Sequence, residues 1–446
     1  MRSLLYTILL GVLCTGMAFA APTINIVSDN ASTYPNSAVP RYCKFEVTFT
    51  IGNIGTHLTD YNAFNPNIAA LSSDYWNKKG ILVDALLTKP GQSSPSITYP
   101  CFYYENFDGS KGWKLRFSPT EVGTWKYKIR AKHSSGETIT SERTFNCTTS
   151  SKHGFIRVNP NDTRFFQFSD GTPFHPIGTA VTGYSTDWDD IHETVFSELK
   201  ANGGNFARVW TASSRQIEYY WVNQGSPKPQ ALNRYVQSRC EDIDYVVDLA
   251  EENDIYIQFL IDDWTRFKNN ESPYINEGES TPAPCESYEE VFDGENGTHE
   301  IYQRKLRYIA ARWGYSVHVL AWEFINEYYG GDWDGVRDWH DLMCDTLKAK
   351  VRPDYLPSGY NMDLWAQPHL TTSSNGNQRL RANAGIDWSH PQLDIINFHW
   401  YNQYSNTWTS LEARNEDGDY FKFEQLGCDN DYPWIDTAVL VPGIKA

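Results

Sequence analysis

The chain has 446 residues, with 38 lysines and arginines against 55 aspartates and glutamates, giving a formal net charge of −17 at pH 7. That balance argues against nucleic-acid or anionic-membrane partners, both of which need basic patches. Aromatic residues make up 15% of the chain, including 16 Trp and 28 Tyr, and their flat apolar faces with a polar edge suit sugar rings as well as cores. The eight cysteines show no metal-knuckle spacing, so no metal or other cofactor is expected.

Arg2, the apolar stretch from Leu4 to Leu13 and the Ala18-Phe19-Ala20 site describe a cleaved secretory signal peptide over residues 1–20. The expected location is extracellular or periplasmic. The apolar core is too short to cross a bilayer, and no later stretch is apolar enough to do so. Without Cys14, seven cysteines remain (Cys43, Cys101, Cys147, Cys240, Cys285, Cys344 and Cys428). Disulfides are permitted in that compartment, but the pairing cannot be read and one thiol is left over.

Residues 21–150 read as short antiparallel strands. "KFEVTFTIG" (44–52) alternates Phe45, Val47 and Phe49 with polar residues, and "GWKLRFSP" (112–119) repeats the pattern. After a turn at Gly123, Trp125, Tyr127 and Ile129 fall on one face, and "RTFNCTT" closes the segment. This predicts a β-sandwich.

From residue 151 to 446 the rhythm changes to strand and helix in alternation. Strands are predicted at 174–181, 205–210, 255–261, 317–325, 369–374 and 394–401. Helices are predicted near 188–202, 233–252, 298–313 and 334–349. His175 is expected to pack inside this domain. Apolar strands separated by amphipathic helices form a parallel sheet covered by helices. The number of units, and the lack of an early glycine-rich phosphate loop, favour a (β/α)8 TIM barrel over a doubly wound sheet.

Barrel chemistry stands at the C-terminal strand ends. Those ends carry Arg208 and Trp210, then Asp262, Asp263 and Trp264, then Asn326 and Glu327, then Ser373, Ser374 and Asn375, then His399, Trp400 and Tyr401. A carboxylic acid at a strand tip, as at Glu327, can hand a proton to a leaving group. Asn326 beside it could hold a substrate hydroxyl. The same Glu could instead be a structural partner of a neighbouring arginine. Trp210, Asp263, Trp264 and Trp400 are candidate substrate contacts, and Tyr219-Tyr220-Trp221 a candidate sugar platform or loop core.

The tip "WEFINE" (322–327) resembles the Asn-Glu signature of clan A glycoside hydrolases, the cellulase-like and mannanase-like (β/α)8 enzymes. "GWKLRFSPTEVGTW", "HGFIRVNP", "DGTPFHPIG", "NFARVW" and "RKLRYIAARWGYS" extend the likeness to a secreted cellulase-like, family-five-like subgroup with an N-terminal β-sandwich, over about residues 40–401. The resemblance implies Glu327 as general acid/base and Asn326 as its substrate-holding neighbour. It also implies Arg208 near the nucleophile, and "HWY" (His399 to Tyr401) as the segment whose Tyr401 hydrogen-bonds that nucleophile. A polysaccharide or oligosaccharide is the implied partner, cleaved with retention by two carboxylates.

The pattern breaks at the nucleophile. "TAVLV" (437–441) looks like strand seven, yet Pro442-Gly443 stands where a second Glu is expected. Strand eight is missing, which reads as an incomplete barrel from a truncated or frame-shifted product. A rival reading makes "FKFEQLG" strand seven, with Glu424 as nucleophile. A catalytically dead carbohydrate-binding protein and a surface scaffold remain as alternative functions.

Overall fold

The computed structural model describes residues 20–53, 81–133, 135–181, 188–211, 217–218, 235–268, 272–275, 285–328, 333–348, 350, 369–375, 393–400, 411–414, 420–423 and 437–442, the last few segments from 398 onward by backbone alone. The predicted signal peptide lies outside these residues.

The first ten strands are β1 (Thr23–Asp29), β2 (Ala38–Pro40), β3 (Phe45–Gly52), β4 (Ile81–Thr88), β5 (Ile97–Pro100), β6 (Phe102–Glu105), β7 (Lys111–Phe117), β8 (Gly123–His133), β9 (Gly136–Ile139) and β10 (Arg143–Thr148). They form two sheets, β1-β3-β7-β6 and β2-β10-β8-β4-β5, with β9 paired to β8. Alternation explains the sandwich. Phe45, Val47, Phe49 and Ile51 of β3 and Trp125, Tyr127, Ile129 and Ala131 of β8 are all buried in one shared core, with their sequence neighbours facing out. Phe45 stacks on Phe145 with ring centroids 3.8 Å apart.

A small sheet follows, of β11 (Ile156–Val158), β12 (Phe166–Phe168) and β13 (Pro173–Phe174). The strand expected at 174–181 is therefore two strands: β13 joins this small sheet, and β14 (Gly178–Val181) opens the next one. Pro176 between them cannot donate a ladder hydrogen bond, which ends the first strand. His175 lies in this break and is exposed, its ring meeting Phe165 edge-on and its carbonyl accepting from Asn205 Nδ2 at 3.0 Å, so its side chain does not pack inside the domain.

The helical domain then runs α1 (Trp188–Ala201), β15 (Phe206–Trp210), α2 (Gln237–Asn253), β16 (Tyr256–Asp263), α3 (Trp264–Lys268), α4 (Tyr288–Phe292), α5 (Thr298–Trp313), β17 (Val319–Asn326), α6 (Trp333–Leu347), β18 (Leu370–Thr372), β19 (Ser374–Asn375) and β20 (Ile395–Trp400). Strands β14-β15-β16-β17-β18 pair in parallel in chain order, and β19 continues in parallel with β20. Strands β15, β16 and β17 are buried throughout, as expected of a sheet covered on both faces. The chains approach closely at Gly178, where a Cβ would lie 1.6 Å from the carbonyl oxygen of Phe206. This is an N-terminal β-sandwich followed by a TIM-barrel domain.

Beyond residue 410 the expectations need correction. Strand β21 (Leu411–Arg414) and strand β22 (Tyr420–Phe423) pair only with each other, as an antiparallel hairpin outside the barrel sheet. "FKFEQLG" is thus not the next parallel strand, and Glu424 lies outside the described residues. Strand β23 (Thr437–Pro442) pairs with β20 antiparallel, Trp400 opposite Thr437 and Ile395 opposite Pro442. An apolar run specifies a buried strand but not its direction, so the expected parallel strand seven is antiparallel.

Candidate active site

Three neighbouring strands build the site. β15 contributes Arg208, β16 contributes Gln258 and Asp263, and β17 contributes Glu323 and Asn326, with Glu327 following directly. Register places Arg208 opposite Gln258 and Asp263 opposite Asn326.

At its centre is a buried ion pair. The Arg208 guanidinium donates from Nε to Glu323 Oε2 at 2.7 Å and from Nη2 to Glu323 Oε1 at 2.8 Å, with side-chain exposures of 1% and 0%. Gln258 Nε2 donates to Glu323 Oε2 at 2.6 Å, and Asn397 Nδ2 lies 3.4 Å from Glu323 Oε1. Such forked geometry fixes the plane of the arginine as well as neutralising it.

Arg208 in turn orients the amide at the strand tip. Its Nη2 donates to Asn326 Oδ1 at 2.6 Å, while Asn326 Nδ2 donates to Asp263 Oδ2 at 2.9 Å. An acceptor on one side and a donor on the other leave a single amide orientation. The other oxygen of Asp263 accepts the Thr265 N–H at 2.7 Å, holding the start of α3. Asp263, a candidate substrate contact, therefore orients Asn326.

Glu327 is half-buried and has φ of 50°, in the left-handed region that side chains other than glycine rarely occupy. Such a backbone costs on the order of 1–3 kcal/mol and persists only where its surroundings hold it. Ser374 holds it: the Glu327 N–H donates to Ser374 Oγ at 2.9 Å, and the Tyr328 N–H donates to the Ser374 carbonyl at 3.2 Å. The Ser374 hydroxyl also lies 3.4 Å from Asn326 Oδ1. Ser373 beside it accepts the Ile325 N–H at 3.2 Å and meets His340 Nε2 at 2.8 Å. Because His340 Nδ1 lies 2.8 Å from the Val336 carbonyl, it carries the ring proton, and Nε2 accepts from the serine.

The aromatic candidates sit deeper than expected. Trp264 is 2% exposed and packs between Tyr288 and Phe292, with centroids at 4.9 Å and 5.8 Å. That is a core position for this candidate substrate contact. Trp210 is 8% exposed, with the Arg208 guanidinium 5.2 Å from its ring centroid. His399 and Trp400 are described only as backbone of β20, and Tyr401 and Tyr219 to Trp221 lie outside the described residues.

Behind the tip lies a second charged cluster. Lys305 Nζ on α5 is 2.9 Å from Glu218 Oε2 and 2.9 Å from Asp262 Oδ2, and the Tyr302 hydroxyl donates to Asp262 Oδ2 at 2.7 Å. All three charged groups are buried. Burial raises both carboxyl pKa values, only partly offset by Lys305. Of this cluster only Asp262 stands among the strand-end residues read from the sequence; Lys305, Glu218 and Glu323 do not, although Glu323 is legible. It is the one charge within the otherwise uncharged eight-residue strand β17, four residues before Glu327. Among the described residues, no group of three or more His, Cys, Asp or Glu side chains is arranged to hold a metal ion. The six described cysteines are all free thiols.

Residues 169–434 match the cellulase family, glycosyl hydrolase family 5, and residues 38–132 match a domain of unknown function, DUF5060. A probable mannan endo-1,4-β-mannosidase A of Aspergillus flavus is 22% identical over 293 residues, covering 59% of this chain and 71% of that protein. A probable mannan endo-1,4-β-mannosidase F of Neosartorya fischeri is 21% identical, covering 57% of this chain and 59% of that protein. A solved Bacteroides vulgatus structure provisionally described as a glycoside hydrolase covers 77% of this chain at 16% identity with a TM-score of 0.49, and this chain spans 58% of its length.

Proposed function

The chain belongs to glycosyl hydrolase family 5, and on that premise we propose that it is a secreted enzyme cleaving internal or terminal O-glycosidic bonds of a β-linked polysaccharide, with Glu327 as the general acid/base. The observation that carries the assignment is the tip geometry. Glu327 is held in a strained backbone beside an amide whose orientation is fixed from both sides. Asn326 has a second amide hydrogen to offer a substrate hydroxyl next to the scissile bond. Glu327 then protonates the departing oxygen and later takes a proton from the attacking water, the sequence that retention requires. A partner carboxylate roughly 5–5.5 Å away supplies the nucleophile in that scheme. Secretion follows from the signal peptide read at residues 1–20.

The fungal relatives make β-1,4-mannan the first substrate to try, with β-1,4-glucan beside it. Release of reducing ends by the wild-type chain, abolished in Glu327→Gln with unchanged folding, supports the reading. No release from either polymer contradicts it. A glycan-binding, non-hydrolysing role is the second reading. It is favoured by one observation: strand β23 carries no carboxylate and runs antiparallel to β20. Retention of the chain on polysaccharide without product would select it.

A further inference from the structure

The outer side of α5 would be the solvated face of a free barrel, yet here nearly the whole helix is buried, including Arg304, Lys305, Arg307 and Arg312. What covers it is the sandwich. Arg307 Nη2 donates to Asp84 Oδ1 of β4 at 2.6 Å and to the Val83 carbonyl at 3.0 Å, and Asp84 is 0% exposed. Arg116 of β7 forks onto Asp244 of α2 at 2.7 Å and 3.1 Å, and Arg312 grips the same carboxylate at 3.0 Å and 2.8 Å. The Tyr99 hydroxyl donates to the Ala310 carbonyl, the Ser118 hydroxyl to the Tyr315 carbonyl, and the Tyr308 hydroxyl to the Tyr103 carbonyl.

Apolar packing follows the same boundary. Leu82, Phe102 and Tyr104 come from sandwich strands but belong to the core cluster of the barrel, not to the sandwich's own. The Arg116 and Arg312 guanidinium groups lie over the Phe102 ring at 5.1 Å and 5.3 Å. A buried charge is tolerated only with its partner. Parting the two bodies would take Asp84 from Arg307 and Asp244 from Arg116, while Arg116 would keep Glu46 and Asp84 would keep Arg130 within the sandwich. Tethered modules bury smaller and more polar interfaces and move by default.

We propose that the N-terminal sandwich is a fixed outer wall of the barrel, serving its stability, rather than an independently moving sugar-binding module. The wall reaches the candidate site through α5, whose Lys305 holds Asp262, the neighbour of Asp263 that orients Asn326. The proposal stands apart from the reaction, since it would hold for a binding protein as well.

A protease site inserted after the exposed Ser151, in the full-length chain, provides the test. After cleavage the two fragments should co-elute on size exclusion in 1 M NaCl and unfold in one calorimetric transition. Asp84→Asn should lower that single transition as a whole. Separation of the fragments, two transitions, or an Asp84→Asn shift confined to a sandwich transition would each overturn the proposal. If Asp84→Asn does not fold, the cleaved wild-type chain still decides the matter.

Discussion

Replacing Glu323 by Gln keeps the shape of the side chain and removes its charge. Arg208, 1% exposed, then keeps its own charge with no full counter-charge across the 2.7 Å and 2.8 Å contacts. The new amide can accept one hydrogen bond from the guanidinium but turns its NH2 towards the other donor, so one charge-assisted bond is lost outright. A buried pair broken on one side costs about 3–5 kcal/mol, and one such bond alone about 1.5–3 kcal/mol. The expected loss is therefore about 3–5 kcal/mol, read as a fall in urea midpoint with unchanged slope. Replacing both members, Glu323→Leu with Arg208→Met, should cost less than the sum of the single changes, because no charge is then stranded. A Glu323→Gln variant within about 1 kcal/mol of wild type would refute the claim that this pair organises the site.

Ser374→Ala removes the hydroxyl that accepts the Glu327 N–H, and should cost about 1–3 kcal/mol in denaturant unfolding while lowering turnover; full retention of both would count against the strained-tip account. Trp264→Ala should cost about 3–5 kcal/mol of stability, as a core truncation does, and a change in glycan affinity without that loss would instead mark it as a substrate contact. His369 gives a pH signature: burial lowers its pKa to about 4, outweighing its bond to the Ser316 carbonyl. The folded state stays neutral where the unfolded chain takes up a proton, so stability is lost as pH falls from about 6.5 towards 4, by about 3 kcal/mol in all. His369→Gln should flatten that part of the unfolding free energy measured between pH 7 and pH 4, and an unchanged slope would exclude His369 as its source.

Local periodicity carried most of the architecture. The alternation at Phe45, Val47 and Phe49 and the apolar strands ending at Trp210, Asp263 and Asn326 were visible because each pattern reports its own burial. The burial of the α5 arginines has no local signal, because a covering carboxylate can lie far away in sequence, Asp84 being 223 residues from Arg307. A helix whose charges are matched only by a distant domain looks amphipathic and solvated when read alone. At the site, Arg208, Asn326 and Asp263 were found by residue type at strand ends. Glu323 sits four residues before Glu327, inside the strand and not at its end, so it did not stand out, and Ser374, named only as a strand-end residue, acts through its hydroxyl on the Glu327 N–H. Strand direction at β23 depends on tertiary pairing and has no signature in "TAVLV".

The most direct test of the central claim compares Glu327→Ala with wild type on aryl β-glycosides whose leaving groups span good to poor. A proton donor matters most where the departing oxygen is basic, so the variant should lose about 10²–10⁴-fold on poor leaving groups and little on the best one. An equal loss across the series, or none at all, would contradict Glu327 as the acid.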